Sequence, residues 1–324
     1  MATEGLLTLD PRARRFLDLV NAAKRDRTRV PEVADLRHVG AALAEFAAPA
    51  PEVERRADAL SNGGATIPLR LYSPEGLAEV ELPGLIFFHG GGLVSGDLET
   101  SDSLCAELCH LGRCRVVAVD YRLAPEFRFP AAHEDAFAAV MAVAAAPSRW
   151  AIDRRRLAVA GDSAGGNLAA SAARRAGAAG VELALQLLLC PVLDPLGRTA
   201  SRRELASGYL IEEATMARYW ELYRIDGLTP DDPRVAPLRA DFAGAPPALI
   251  HTAEYDPLRD EGALFARALE GAGVPVRHFS HAGMIHHFYS LGAVIPAAQA
   301  ALASIGAELR EAFAGAKVNQ KPEG

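Results

Sequence analysis

Short apolar segments and helical runs take turns along most of this chain, and that alternation narrows the folds open to it more than any other feature. Leu85–Phe88, Val116–Val119, Leu157–Ala160, Leu183–Leu189, Ala248–Thr252 and Val276–Phe279 read as strands, with helical runs over 102–111, 131–146, 167–176 and 260–271 between them. Apolar strands separated by helices predict a mostly parallel central sheet flanked by helices on both faces, an α/β fold. Residues 53–60 and 65–72 flank Asn62-Gly63-Gly64, whose glycines accept positive φ, so an antiparallel hairpin is expected to add an edge.

Two amphipathic helices are expected ahead of the hairpin. Asp10-Pro11 is a cap followed by a first-turn proline, with Phe16, Leu19, Val20 and Ala23 at helical spacing. Pro31 opens a second run that places Leu36, Val39, Leu43 and Phe46 on one side. The alternation lapses between Pro195 and Pro237, where Met216, Tyr219, Trp220 and Tyr223 form an aromatic helical stripe. That stripe is either plain core or a ligand wall, because ligands of open α/β sheets bind beyond the carboxyl ends of the strands. The expected organisation is amino-terminal cap helices over 1–48, a core over 49–195 and 237–314, a cap insertion over 196–236, and a flexible tail over 315–324.

Composition excludes several function classes. A formal net charge of -7 over 324 residues supplies no broad basic surface, so no nucleic-acid partner is expected. No run approaches the roughly 18 apolar residues of a membrane span, which argues against stable membrane insertion. Met1 to Val20 carries Glu4 and Asp10 and lacks the apolar stretch of a secretory signal, so a cytoplasmic chain is expected. Cys105, Cys109, Cys114 and Cys190 lack metal-ligand spacing and read as buried thiols. No cysteine metal site is expected.

Gly161-Asp162-Ser163-Ala164-Gly165 follows an apolar strand and precedes a helix of small residues. A serine hydroxyl is a poor nucleophile until its proton has an acceptor and its oxygen is pushed clear of the backbone. A sharp strand-to-helix turn achieves the second, and glycines on either side are required where any Cβ would collide. Upstream, His89-Gly90-Gly91-Gly92 ends another strand and leaves backbone N–H groups free to face a developing oxyanion, with Ala164 supplying a further N–H. A phosphate loop is the rival, but no Lys-Ser/Thr follows the glycines. His38, His110, His133 and His251 fall inside expected elements, whereas His286 and His287 follow the last strand in a loop. The chain order Ser…Asp…His then places the base at His286 or His287 and favours Asp256 as its acid, with Asp260 left as a helix cap.

These segments resemble the hormone-sensitive lipase family of α/β-hydrolases, the bacterial family IV esterases, from about Pro83 to Phe288. The likeness rests on His-Gly-Gly-Gly at 89–92, Gly96-Asp97, Asp120 to Glu126, Gly-Asp-Ser-Ala-Gly-Gly at 161–166, Asp256 to Glu261, and Gly283 to His286. It implies an α/β-hydrolase fold with a helical cap and no cofactor. It also implies hydrolysis of short- to medium-chain acyl esters, with a small-molecule ester as the partner. Ser163, Asp256 and His286 are its implied triad, with oxyanion donors from Gly91, Gly92 and Ala164 and Gly90 close by. Leu93 stands where the family often has an aromatic residue, and His287 where it usually has glycine. The charges of Asp120 to Glu126 are expected to form a structural ion-pair network behind the nucleophile turn. An amidase, a lactonase or a non-catalytic small-molecule receptor on the same fold is the alternative, and a homodimer through an edge strand near the carboxyl end is an open expectation.

Overall fold

The computed structural model describes residues 8–23 and 31–316. Helix α1 (Pro11–Ala23) starts where expected, because the Asp10 carboxylate accepts from the Arg12 and Ala13 amides at 2.7 and 3.1 Å. Helix α2 (Val33–Ala44) opens on a capping box between Glu32 and Asp35. Strands β1 (Val53–Asn62) and β2 (Ala65–Pro74) then form the hairpin around Gly63-Gly64, both at positive φ.

The alternating part follows as β3 (Leu82–Phe88), α3 (Asp102–Gly112), β4 (Arg115–Val119), α4 (Ala131–Ala145), β5 (Ile152–Asp162), α5 (Ala164–Ala178) and β6 (Leu185–Leu189). After the interruption, which holds helices α6 (Ala200–Glu204) and α7 (Glu213–Tyr223) and no strand, come β7 (Ala248–Tyr255), α8 (Arg259–Gly271), β8 (Val276–Ile285) and α9 (Ala297–Ala316). The eight strands form one sheet in the order β1-β2-β4-β3-β5-β6-β7-β8, parallel from β4 to β8, with the hairpin at one edge and β8 at the other. It is an α/β-hydrolase sheet.

Each central strand feeds two cores, since successive side chains point to opposite faces. Ile86, Phe88, Val117, Val159, Leu188 and Ile250 pack under α4, α5 and α8, represented by Val140, Leu168 and Phe265. Leu85, Phe87, Val116, Ala158, Leu187 and Leu249 pack on the other face against Phe16, Leu108, Ile305 and Leu309 of α1, α3 and α9. Burial on both faces is why these strands read as continuous apolar runs. β3 pairs with β4 on one side and β5 on the other, so the chain reverses its direction of travel across the sheet there. A crevice beyond the carboxyl ends follows from that reversal.

Several boundaries differ from the expectation. β8 continues through Gly283-Met284-Ile285, so those residues are strand and His286 begins the turn. The second half of β8 pairs with β7 across a register shift between Ala253 and Tyr255, and its exposed edge leaves no apolar alternation to read. Helix α9 was not anticipated; it includes Gly315 and Ala316 from the expected tail, and the rest of that tail lies outside the described residues. The charges of Asp120 to Glu126 do enter structural ion pairs, though with separate partners on other elements. Arg122 grips Asp135 of α4 at 2.7 and 2.8 Å, and Glu126 accepts from Arg37 of α2 at 2.7 and 2.9 Å.

Candidate active site

Ser163 occupies the bend between β5 and α5 with φ 56° and ψ -117°, a backbone state that costs a non-glycine residue about 1–3 kcal/mol. The bend is enforced by close packing. A Cβ on Gly161 would lie 2.0 Å from the Gly165 carbonyl oxygen, and one on Gly165 would lie 2.0 Å from that of Phe88. The Ser163 amide donates to the Leu189 carbonyl at 2.8 Å, and its own carbonyl accepts from Gly166 and Val192 at 3.0 Å each. The hydroxyl is thereby lifted above the strand ends.

Asp256 follows the last residue of β7 and His286 the last of β8, so the three side chains converge from three strand ends. His286 Nε2 lies 3.1 Å from Ser163 Oγ, and Nδ1 lies 2.7 Å from Asp256 Oδ2. Asp256 is fully buried and its second oxygen accepts from the Leu258 amide at 2.9 Å. Burial alone would lower the His286 pKa, but the charge of Asp256 and its hydrogen bond outweigh that and hold it above 6.5. The arrangement can withdraw a proton from the serine hydroxyl and store it on an imidazolium beside a carboxylate.

The glycine loop runs across this bend. Gly91 and Gly92 have φ of 111° and 64°, and the Gly91 carbonyl accepts from the Val94 and Ser95 amides at 3.1 and 2.9 Å. Among the described residues the N–H groups of Gly91, Gly92 and Ala164 enter none of the backbone hydrogen bonds outside regular elements. Gly92 borders the same cavities as Ser163. A Cβ on Gly92 would meet the Tyr219 ring at 2.2 Å, and one on Gly90 would meet Asp162 Oδ2 at 2.9 Å, so neither position has room for a side chain. His89 fixes the start of the loop: its Nδ1 donates to the Gly90 carbonyl at 2.7 Å while the ring stacks on Tyr121. Burial lowers its pKa to about 4, which keeps it neutral.

Two cavities meet at Ser163. The smaller, of about 70 Å³, is walled by Met216, Tyr219, Trp220 and Tyr223, so the aromatic stripe is a wall of the site. The larger, of about 340 Å³, is bordered by Leu36, Val39 and Leu43 of α2, by the glycine loop, and by His286 and His287. Leu93, the first departure, is buried and faces the smaller cavity. His287, the second, places Nδ1 2.8 Å from Asp162 Oδ2.

Some residues that shape the site were not singled out in the sequence. His133 bonds Tyr223 at 2.6 Å and Asn167 at 3.1 Å, tying α4, α5 and α7 together beneath the smaller cavity. The Cys190 thiol, kept protonated by burial and by Asp256, lies against the Asp256 carboxylate. Arg202 of α6 is buried and donates to Glu261 of α8 at 2.7 Å and to the Asp194 carbonyl at 2.8 Å. Asp260 does act at a helix start, though not its own: its carboxylate accepts from the Ser201 amide of α6 at 2.8 Å. Glu261 lay inside a quoted motif, as did Asp260, but nothing local could pair it with Arg202.

The comparisons with known proteins fit this geometry. The family description "alpha/beta hydrolase fold" matches residues 85–290. The ethyl acetate hydrolase of Pseudomonas putida is 40% identical over 254 residues, 76% of this chain and 79% of that one. The arylesterase of Saccharolobus solfataricus is 33% identical over 95% of this chain and 100% of its own length. Among solved structures, an ester hydrolase from the metagenome of Lake Arreo superposes with a TM-score of 0.90 at 38% identity, covering 95% of this chain and 100% of that one. A reversing parallel sheet, a serine on a strained bend and this kinship lead to one placement: the chain belongs to the α/β-hydrolase fold family and stands among its ester hydrolases.

Proposed function

We propose that the protein is a serine carboxylesterase of the hormone-sensitive lipase type, with Ser163 as nucleophile, His286 as base and Asp256 as the acid that orients it. The continuous hydrogen-bonded line from Asp256 through His286 to Ser163 carries this reading. Ser163 attacks the ester carbonyl as His286 takes its proton, and Asp256 holds the imidazole with Nε2 toward the serine. The N–H groups of Gly91, Gly92 and Ala164, with Gly90 bracing the loop, receive the oxyanion; losing one such donor costs about 10²–10³ in rate. His286 protonates the leaving alcohol, and water then hydrolyses the acyl-enzyme by the reverse path.

The two cavities divide the substrate. The alcohol must leave beside the imidazole that protonates it, and His286 borders only the larger cavity. The acyl chain therefore occupies the smaller one. Its volume of about 70 Å³ is about half that of an apolar protein cavity able to hold benzene, which suits short acyl chains first. Helices α1, α2, α6 and α7 serve as the cap over this site; α2 and α7 supply much of its lining. No helix among the described residues is long and apolar enough to cross a membrane, and the four cysteines are free thiols, in keeping with work in the cytoplasm. A homodimer along β8, which among the described residues pairs with no strand but β7, is compatible with this reading.

Mixing the protein with p-nitrophenyl butyrate is expected to give a burst of p-nitrophenol with an acyl group trapped on Ser163. Saturable binding without a burst would favour the receptor. The rate should fall as pH drops through the His286 pKa, which lies above 6.5, because only the neutral imidazole accepts the serine proton. A rate unchanged down to about pH 4 would exclude histidine as the base.

A further inference from the structure

The geometry points to His287 as a recognition residue for the alcohol half of the substrate, selecting esters whose alcohol carries a second hydroxyl. The inference rests on the reading above, in which the alcohol leaves through the larger cavity, and adds what that cavity recognises. His287 stands at φ 62° in the turn after β8, next to His286 in sequence, and borders that cavity.

Its ring is held from one side only. Nδ1 lies 2.8 Å from Asp162 Oδ2, and because a carboxylate oxygen only accepts, Nδ1 is the donor. Asp162 is buried at the end of β5, beside Gly90, with no space for a Cβ between them. Nε2 has no hydrogen-bond partner among the described residues, yet it is not one of the buried polar atoms left unsatisfied. The side chain is 24% exposed, so this nitrogen is open to the cavity. With Nδ1 donating to Asp162, Nε2 is the ring nitrogen left facing the cavity, and it accepts a hydrogen bond when Nδ1 alone carries a hydrogen. Leu36, Val39 and Leu43 make the α2 side of that cavity apolar, while Ser95, Thr100, Glu212 and Thr215 also border it, so the share of His287 is read from its substitution.

The matching ligand is a polyol monoester or hydroxyalkyl ester, whose free hydroxyl donates to Nε2 while the ester carbonyl faces the glycine loop. An alkyl alcohol of the same size desolvates Nε2 without replacing its hydrogen bond, and a site built around such a bond discriminates against the analogue that lacks it.

The test compares 2-hydroxyethyl butyrate with propyl butyrate, which differ by a hydroxyl in place of a methyl. The substitution is His287→Asn, since asparagine tolerates the left-handed backbone and can still donate to Asp162, but its amide is too short to keep the acceptor in place. The wild type is expected to favour the hydroxyethyl ester in kcat/KM by about 5–10-fold, and His287→Asn to bring that ratio to about one. No preference in the wild type would overturn the proposal. An equal loss on both esters, which leaves the ratio unchanged and marks a structural role, would overturn it as well. Failure of the esterase reading is separate: the wild type would then release no p-nitrophenol from p-nitrophenyl butyrate.

Discussion

Ser163→Ala is expected to lower kcat/KM for p-nitrophenyl esters by at least about 10⁴-fold and to abolish the burst. The loss is large because the hydroxyl supplies the bond on which the two-step path depends, and among the described residues Ser163 Oγ is the one oxygen hydrogen-bonded to His286 Nε2. The residual rate should reflect the glycine-loop amides and substrate positioning, which alanine leaves in place. Across a series of acyl chain lengths the wild type should lose activity once the chain outgrows the smaller cavity. Ser163→Ala should be low throughout. Equal hydrolysis of the whole series by both proteins would remove Ser163 from the mechanism.

The largest stability effect is expected at Arg202. Its guanidinium is almost fully enclosed, spreading its donors over Glu261, Glu213, the Asp194 carbonyl and the Met216 sulfur. Glu261 also accepts from the Leu193 and Asp194 amides at 2.8 and 2.9 Å. Burial raises the Glu261 pKa to about 7 against the pull of Arg202, so this carboxylate already carries a heavy desolvation cost. Arg202→Ala strands it, and breaking a buried pair by removing one partner typically costs about 3–5 kcal/mol. Thermal unfolding should shift down by roughly 5–10 °C. A double substitution, Arg202→Met with Glu261→Gln, removes both charges while keeping an acceptor for the two amides, and should recover most of the loss. If the double variant unfolds no later than Arg202→Ala, the stranded carboxylate is not the cause.

Both experiments bear on what the sequence allowed to be read. Ser163, the glycine loop, Asp256 and His286 sit in local patterns whose chemistry is evident from neighbouring residues, and the order of those patterns matches the strand ends that bring them together. The central strands were legible for a related reason, since burial on both faces leaves uninterrupted apolar runs. Contacts between distant segments left no such trace. Arg202 and Glu261 lie 59 positions apart, and their pairing depends on how α6 settles against α8. Asp260 was read correctly as a capping residue, but the helix it caps belongs to another segment. Helix α9, rich in alanine, presents Ile305, Leu309 and Phe313 at helical spacing, a signal present in the chain that the alternation obscured. The ends of β8 were hidden because an edge strand need not alternate in hydrophobicity.

The position of β8 has a consequence for how the protein fails under stress. Ser163 is anchored in the interior of the sheet, whereas His286 is carried by an edge strand, whose one strand partner among the described residues is β7 and whose Gly283 carbonyl also accepts from the Asp10 amide at 3.1 Å. Margins open at lower free energy than centres, so mild heating or denaturant should swing the imidazole away while the bulk of the protein keeps its shape. Inactivation would then precede the loss of circular dichroism and reverse on cooling, with the molecule's durability as a catalyst limited by its outermost seam.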